Sequence, residues 1–349
     1  MEALKDIGGP AQPLLTITGL VKHFPLKKDP LGRGGGVVRA VDGVDFEVMK
    51  GETLGVVGES GCGKSTTARL LMQLIEPTRG EVIFDGREVG SRDLPLKEFR
   101  RQVQMVFQDS YASLNPRLTI EDSVAFGPQV HGVSRRESVA RARDLLARVG
   151  LAPQRFAERY PHELSGGQRQ RVNIARALAL QPRMVILDEA VSALDKSVEA
   201  QVINLLLDLK TEFGLTYVFI SHDLNVVRYV SDRVMVMYLG QVAEIGPADA
   251  LYERPAHPYT RALLSSMPSM DPDHRTEVAA LAGDPPNPIN PPTGCRFHPR
   301  CSIAAPVCSQ VVPERIATDS QHAVSCLVHE AGSGHPMAQP QPFLQRQAA

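Results

Sequence analysis

The chain predicts an α/β fold with a mostly parallel sheet, to which a helical insert and an irregular C-terminal extension are added. Three observations predict it. Residues 53–58 (TLGVVG), 184–188 (MVILD) and 216–221 (TYVFIS) are short, almost wholly apolar runs, as strands covered on both faces require. Each is followed by a helix-like pattern, the alternation expected of α/β domains. Between them, "ESVARARDLLARVGL" and "QRQRVNIARALAL" have helical spacing and few strand signals, which makes residues 109–180 a helical subdomain.

In chain order, residues 1–13 form an N-terminal tail with neither a basic start nor an apolar core, so it is not a signal peptide. Residues 14–24 and 37–48 alternate apolar and polar positions as half-buried strands do, with a Pro/Gly/Lys loop between them. The main domain spans 14–262 and an extension spans 263–330, where prolines thicken in "GDPPNPINPPTG". Residues 331–349 read as a disordered tail. No internal repeat is present. The 349 residues exceed one typical domain, and 43% hydrophobic with 22% charged content is ordinary for a globular protein. A formal net charge of −1 gives no field for gathering nucleic acid. No apolar run approaches the ~18–20 residues that span a bilayer. A cytosolic chain with reduced thiols is expected, with any membrane reached through a partner.

The first chemical motif is "GESGCGKST", residues 58–66, between a strand and a helix. Gly58, Gly61 and Gly63 let backbone N–H groups turn inward around phosphate oxygens, and the next helix points its positive end at them. Glu59, Ser60 and Cys62 complete the loop, Cys62 as a filler. Lys64 suits the β- and γ-phosphates, Ser65 can offer its hydroxyl to Mg²⁺, and Thr66 carries the loop into the helix. The second motif places Asp188 and Glu189 at the exposed tip of an apolar strand. One can hold Mg²⁺ through water, and the other can polarise an attacking water. The third, "LSGGQRQR", sets Leu164, Ser165, Gly166, Gly167 and Gln168 before an amphipathic helix, a second anion-type helix start. Two such starts in one chain suit a head-to-tail pair of ATPases, each lending its second start to the other's ATP.

These motifs resemble the ATP-binding cassette (ABC) ATPases over roughly residues 14–262, and by that resemblance the fold is the phosphate-loop NTPase fold of the ABC type. Residues 58–65 look like the Walker A loop, Asp188 with Glu189 like Walker B, and 164–168 like the signature motif. Gln108 in "MVFQD" matches the Q-loop, Ser192, Ala193, Leu194 and Asp195 the D-loop, and His222 in "FISHD" the switch histidine. The resemblance implies ATP and Mg²⁺ as ligands, with Ser65, Gln108 and Asp188 toward the metal. It implies Glu189 as general base, Gln108 as sensor of the water and His222 against the γ-phosphate. Taken singly, Gln108 reads as a surface amide and His222 as a helix-cap residue. Two positions depart from the family pattern. Ala190 stands where proline usual follows the glutamate, which frees one N–H and leaves both carboxylates. Phe24, the candidate to stack on adenine, is separated from the phosphate loop by residues 25–36, and its alternative is a core phenylalanine.

A narrower resemblance follows from "HPYTRALLSSMP", "PPTGCRFHPRC", "QDSYASLNPRLTI" and "VFISHDLNVV". These look like the ATPases of dipeptide, oligopeptide and nickel importers. That implies ATP hydrolysis powering peptide import, with nickel or another small solute as the alternative. It implies two membrane-spanning permease subunits, a second ATPase chain, identical or related, and an extracytoplasmic solute-binding protein. The chain would sit peripherally on the cytoplasmic face of the membrane, with no nucleic-acid partner. A soluble ABC ATPase of DNA repair or translation, and a nucleotide-dependent interaction protein without turnover, are the rival classes. The first usually carries two cassettes or long coiled coils, and intact Glu189 and His222 speak against the second.

Of five cysteines, Cys295, Cys301, Cys308 and Cys326 lie in this extension, spaced C-x5-C-x6-C-x17-C. Little apolar pattern is available there to fold it, so a metal centre is expected to supply folding free energy. Four thiolates suit a [4Fe–4S] cluster, which the resembling ATPases carry in some cases. Zinc is the alternative, although its structural sites usually show closer cysteine pairs. Unliganded thiols or opportunistic disulfides are the third possibility.

Overall fold

Residues 12–28, 34–267, 283–319 and 321–338 are described by the computed structural model. The expected N-terminal tail as far as residue 11, and the expected C-terminal tail beyond residue 338, lie outside them. Two long strands come first, β1 (Pro13–Lys28) and β2 (Gly34–Met49). Both run beyond the stretches of alternating apolar residues, because the pairing of backbone groups does not depend on the side chains. β3 (Thr53–Val57) is buried at all five positions and leads to α1 (Lys64–Leu71). Then follow β4 (Arg79–Phe84), β5 (Arg87–Glu88), α2 (Leu96–Gln102) and β6 (Val103–Val106). Within residues 109–180 lie α3 (Ile120–Val130), α4 (Arg135–Arg148), the single turn α5 (Pro153–Phe156) and α6 (Gly166–Leu178). β7 (Met184–Asp188), α7 (Lys196–Phe213) and β8 (Thr216–Ile220) restore the alternation of strand and helix. After them come α8 (Leu224–Val230), β9 (Arg233–Tyr238), β10 (Gln241–Pro247), α9 (Ala248–Glu253) and α10 (Pro258–Ser265). The extension adds β11 (Ile316–Ala317) and β12 (Ala323–Val324).

The chain forms two compact units from interleaved stretches. The first contains the chain through Leu15, Val48–Thr53 and Ile83–Ser221. Its strands β6, β7 and β8 are parallel neighbours, with Val103 opposite Met184 and Met184 opposite Thr216. Every residue of β7 and β8 is buried, and each large apolar side chain removed from water contributes about 1.5–3 kcal/mol. Helices α3, α4 and α6 bury Val124, Leu146 and Val172. Thr119 and Ser134 start α3 and α4 by accepting from Asp122 N and Glu137 N. Asp85, fully buried, is offset by Arg183 at 2.8 Å and Lys50 at 3.4 Å.

The second unit contains Thr16–Glu47, Leu54–Val82 and the chain from His222 onward. Here β3 runs parallel to β9, with Leu54 opposite Arg233, and β9 is antiparallel to β10 with a bulge between Val242 and Glu244. β12 pairs with β10, and β11 with β12, so the extension lengthens a sheet instead of being irregular throughout. Glu244 is fully buried at the bulge. Its carboxylate accepts from Ala256 N at 2.7 Å and His257 N at 2.9 Å, and lies 2.6 Å from His322 Nε2. Burial alone would raise its pKa, but these hydrogen bonds, led by that of His322, bring it below the ordinary value. Tyr238, Tyr259 and Phe297 form an aromatic cluster with centroids 4.6–5.3 Å apart. Polar pairs and aromatic contacts thus fold a segment that periodicity leaves unexplained. Residues 331–338 depart from the expected disorder: they form turns, with His335 buried and its Nε2 3.0 Å from Ile303 O.

Candidate functional site

The phosphate loop belongs to the second unit. It leaves the end of β3 at Gly58, whose φ is +149°, and reaches α1 through Gly63 at φ +109°. A Cβ on Gly58 would lie 2.2 Å from Met237 O, and one on Gly63 2.3 Å from Ala40 O, so only glycine fits either position. Lys64 is 6% exposed, and its ammonium donates to Gly58 O at 2.7 Å and Glu59 O at 3.1 Å. Ser60 and Gly61 are exposed; Ser65 and Thr66 are half-buried on the first turn of α1. Cys62 is buried, its O accepts from Gly240 N at 2.8 Å, and burial pushes its thiol pKa up. That environment agrees with a filler role. Phe24, on β1, is 37% exposed with Lys22 Nζ 5.2 Å from its ring centroid, which rules out the core-phenylalanine alternative. His222 is exposed immediately before α8. The cap of that helix is Asp223, whose carboxylate accepts from Asn225 N and Val226 N, so the cap role belongs to Asp223.

Sequence reasoning missed the residues that hold the loop from outside. Tyr259 Oη accepts from Glu59 N at 2.9 Å. Arg300 grips the Glu59 carboxylate at 2.7 and 3.0 Å. Both lie in "HPYTRALL" and "FHPRC", which served only as family marks, and no spacing rule ties residue 59 to residue 300.

The carboxylates belong to the first unit. Asp188 ends β7 and is 4% exposed. Glu189 follows at φ +48°, a left-handed conformation that turns the chain off the strand. Its N–H donates to Ile220 O at 3.0 Å, and its own carbonyl accepts from Ser192 Oγ at 3.0 Å. Gln108 Nε2 donates to Glu189 Oε2 at 2.8 Å, which joins two distant segments and orients the carboxylate. Ala190 is buried at the turn. A left-handed residue is disfavoured directly before proline, so alanine at 190 suits this backbone.

The signature segment lies in the same unit. Ser165 Oγ accepts from Gln168 N at 3.3 Å, and Gln168 Oε1 accepts from Ser165 N at 3.0 Å, a reciprocal capping box at the start of α6. A Cβ on Gly166 would touch Leu194 Cδ2 at 3.7 Å, and one on Gly167 would meet Val198 Cγ1 at 2.4 Å. Leu194 therefore lies beside Gly166 and Val198 of α7 beside Gly167, while Ala193 and Asp195 are exposed. Leu164 is buried beneath the turn.

The expectation of a metal centre is corrected. Among the described residues, no group of three or more His, Cys, Asp or Glu side chains is arranged to hold a metal ion. Neither an iron–sulfur cluster nor zinc at Cys295, Cys301, Cys308 and Cys326 is therefore supported. The cysteines are free thiols in the structure. Burial pushes Cys295 up to about 11 and Cys326 up to about 12, which keeps both protonated at neutral pH. The segment is held by the Glu244 hydrogen bonds, the aromatic cluster and the Arg296–Asp42 pair.

Comparison with known proteins agrees with this geometry. A family model described as ABC transporter matches residues 41–192, and one described as oligopeptide/dipeptide transporter, C-terminal region, matches residues 243–308. The chain is 51% identical over 317 residues to a probable peptide ABC transporter ATP-binding protein of Sinorhizobium fredii, covering 90% of each chain. It is 50% identical over 318 residues to the oligopeptide transport ATP-binding protein AppF of Bacillus subtilis, covering 90% of this chain and 96% of that one. Among solved structures it is similar to a dimeric ATP-binding cassette in a post-hydrolysis state bound to ADP and Pi. That likeness has a TM-score of 0.58 at 30% identity and covers 67% of this chain and 98% of the other. The chain belongs to the ATP-binding subunits of ABC transporters, in the branch that carries the oligopeptide/dipeptide transporter C-terminal region.

Proposed function

We propose that this chain hydrolyses ATP to drive an importer of dipeptides or oligopeptides, as a peripheral subunit on the cytoplasmic face of the membrane. One observation carries the reading: about half identity, over nine-tenths of the chain, to proteins named for peptide and oligopeptide transport. Its partners are two membrane-spanning permease subunits and a second ATPase chain, with a solute-binding protein beyond the membrane. Among the described residues no helix is long and apolar enough to cross a bilayer, which suits a subunit anchored through permeases.

The chemistry divides between two sets of residues. In one, the loop amides and Lys64 receive the β- and γ-phosphates, with Phe24 against the adenine and His222 toward the γ-phosphate. In the other, Glu189 accepts the proton of the attacking water, and Gln108 keeps its carboxylate turned for that transfer. Ser65 in the first, and Asp188 with Gln108 in the second, are oxygen donors of the hard type that Mg²⁺ takes. Mg²⁺, when bound, would supply neutralisation of the developing phosphate charge. Ser165, Gly166, Gly167 and Gln168 serve the ATP held by the second chain, with Leu194 of the D-loop beside Gly166.

The test is reconstitution with permease subunits, followed by measurement of peptide uptake and ATP turnover together. Glu189→Gln should keep MgATP binding and lower turnover roughly 10²–10⁴-fold, because an amide cannot accept the proton. Turnover at the parent rate would remove Glu189 from the mechanism.

A further inference from the structure

Glu59 places a carboxylate in a loop built for polyphosphate, and like charges at that range oppose one another. In this protein both carboxylate oxygens are taken by one guanidinium. Arg300 Nη1 is 2.7 Å from Oε2, and Nη2 is 3.0 Å from Oε1. The Arg300 side chain is 5% exposed and that of Glu59 22%, and a bidentate charge-assisted pair is both strong and geometrically strict. Nη2 also donates to Gly283 O at 3.0 Å, and the guanidinium stands 6.0 Å from the centroid of the Tyr238 ring. The hydrogen bond to Glu59 raises the arginine's own pKa, so the guanidinium stays charged. The backbone of Glu59 is fixed as well. Its N–H is held by Tyr259 Oη at 2.9 Å, and its carbonyl receives Lys64 Nζ at 3.1 Å. One residue thus connects the lysine of the phosphate loop to the C-terminal extension.

We infer that Arg300 is a positioning residue for nucleotide binding: it removes the charge of Glu59 from the surroundings of the phosphates and holds the Glu59 carbonyl where Lys64 rests. The inference depends on reading residues 58–66 as the loop that binds ATP. It makes the extension part of the support of the nucleotide site.

The experiment measures MgATP and MgADP affinity of the full-length chain by calorimetry, with thermal unfolding as the check on folding. Arg300→Ala should weaken MgATP binding about tenfold or more, since it leaves an uncompensated carboxylate beside the phosphates. The loss should be smaller for MgADP, which carries less charge. Adding Glu59→Gln to Arg300→Ala should recover most of the lost affinity, because the repelling charge is gone. A merely structural arginine would give no such rescue. Should Arg300→Ala fail to fold, Arg300→Gln carries the same comparison, since it keeps the stem and a donor. Parent-like MgATP affinity in the arginine variant, or no recovery on adding Glu59→Gln, overturns the inference while parent binding leaves the ATPase reading intact. A parent chain that does not bind MgATP would overturn both.

Discussion

Two helix starts do related work in this molecule and are built in opposite ways. α6 opens with a capping box in which Ser165 and Gln168 satisfy each other's backbone within four residues. α1 opens from Gly63 at φ +109° with no side-chain cap. Its geometry is held by distant groups: Gly240 N on Cys62 O, Tyr259 on Glu59 N and Arg300 on the Glu59 carboxylate. The start of the signature helix is therefore capped locally, whereas the start of the phosphate-loop helix is held by the rest of its unit. Damage at α6 should stay local, and damage around α1 should spread to nucleotide affinity.

The largest expected effect separates the two starts by role. Lys64→Ala should abolish nucleotide binding and turnover together, whereas Gly166→Asp should cut turnover by about a hundredfold or more and leave binding in its own loop intact. Equal loss of binding in both variants, measured by calorimetry, would erase the distinction.

Backbone geometry gives the next contrast. Gly63→Ala forces a Cβ to within 2.3 Å of Ala40 O at a φ that side chains rarely adopt, and should cost about 3 kcal/mol in denaturant unfolding. A change in midpoint within error would show that the loop relaxes freely.

Acid should reach the support of α1 and spare that of α6. His257, capping α10 two residues before Tyr259, is brought down to about 4 from an ordinary 6.5 by burial, with Glu244 opposing and His329 adding to the shift. It is neutral in the folded chain, while the unfolded chain takes up a proton below pH 6.5. Stability is therefore full above that pH and declines toward pH 4, by about 3 kcal/mol in all. Glu244, with a depressed pKa, adds its own loss further into acid. Flat unfolding midpoints between pH 7 and 4.5 would contradict this sign.

The smallest effect is expected at the capping box. Ser165→Ala should cost about 1 kcal/mol, without altering MgATP affinity. A drop in affinity would mean that α6 is coupled to the phosphate loop more tightly than its local cap suggests.

Chemistry written in contiguous residues was legible in the sequence. The loop glycines, the tip carboxylates and the capped signature each declare themselves within a dozen positions, because turn geometry and helix starts are local requirements. The Gln108–Glu189 hydrogen bond joins residues 81 apart, and only the family resemblance could suggest it. The extension was misread for a physical reason. Four thiols in a proline-rich stretch suggested that folding energy was missing, yet Glu244 finds His322 across 78 positions and supplies part of it. No periodicity encodes a buried hydrogen bond of that separation. Stoichiometric iron with acid-labile sulfide, or zinc, in protein purified without oxygen would reinstate a metal at those cysteines.

The separation of Glu59 and Arg300, 241 positions, also bears on how the protein is made. β3 must wait for β9 before it can pair, and Glu59 must wait for Arg300. At ribosomal rates of roughly 5–20 residues per second, the loop would remain unbraced for about 10–50 s after its own synthesis. Contacts of such long range also form slowly once all residues are present. The phosphate loop is translated well before the arginine that braces it. A nascent chain that stalls before residue 300 would present the loop without its arginine, so competence for ATP would mark a chain whose extension has already folded.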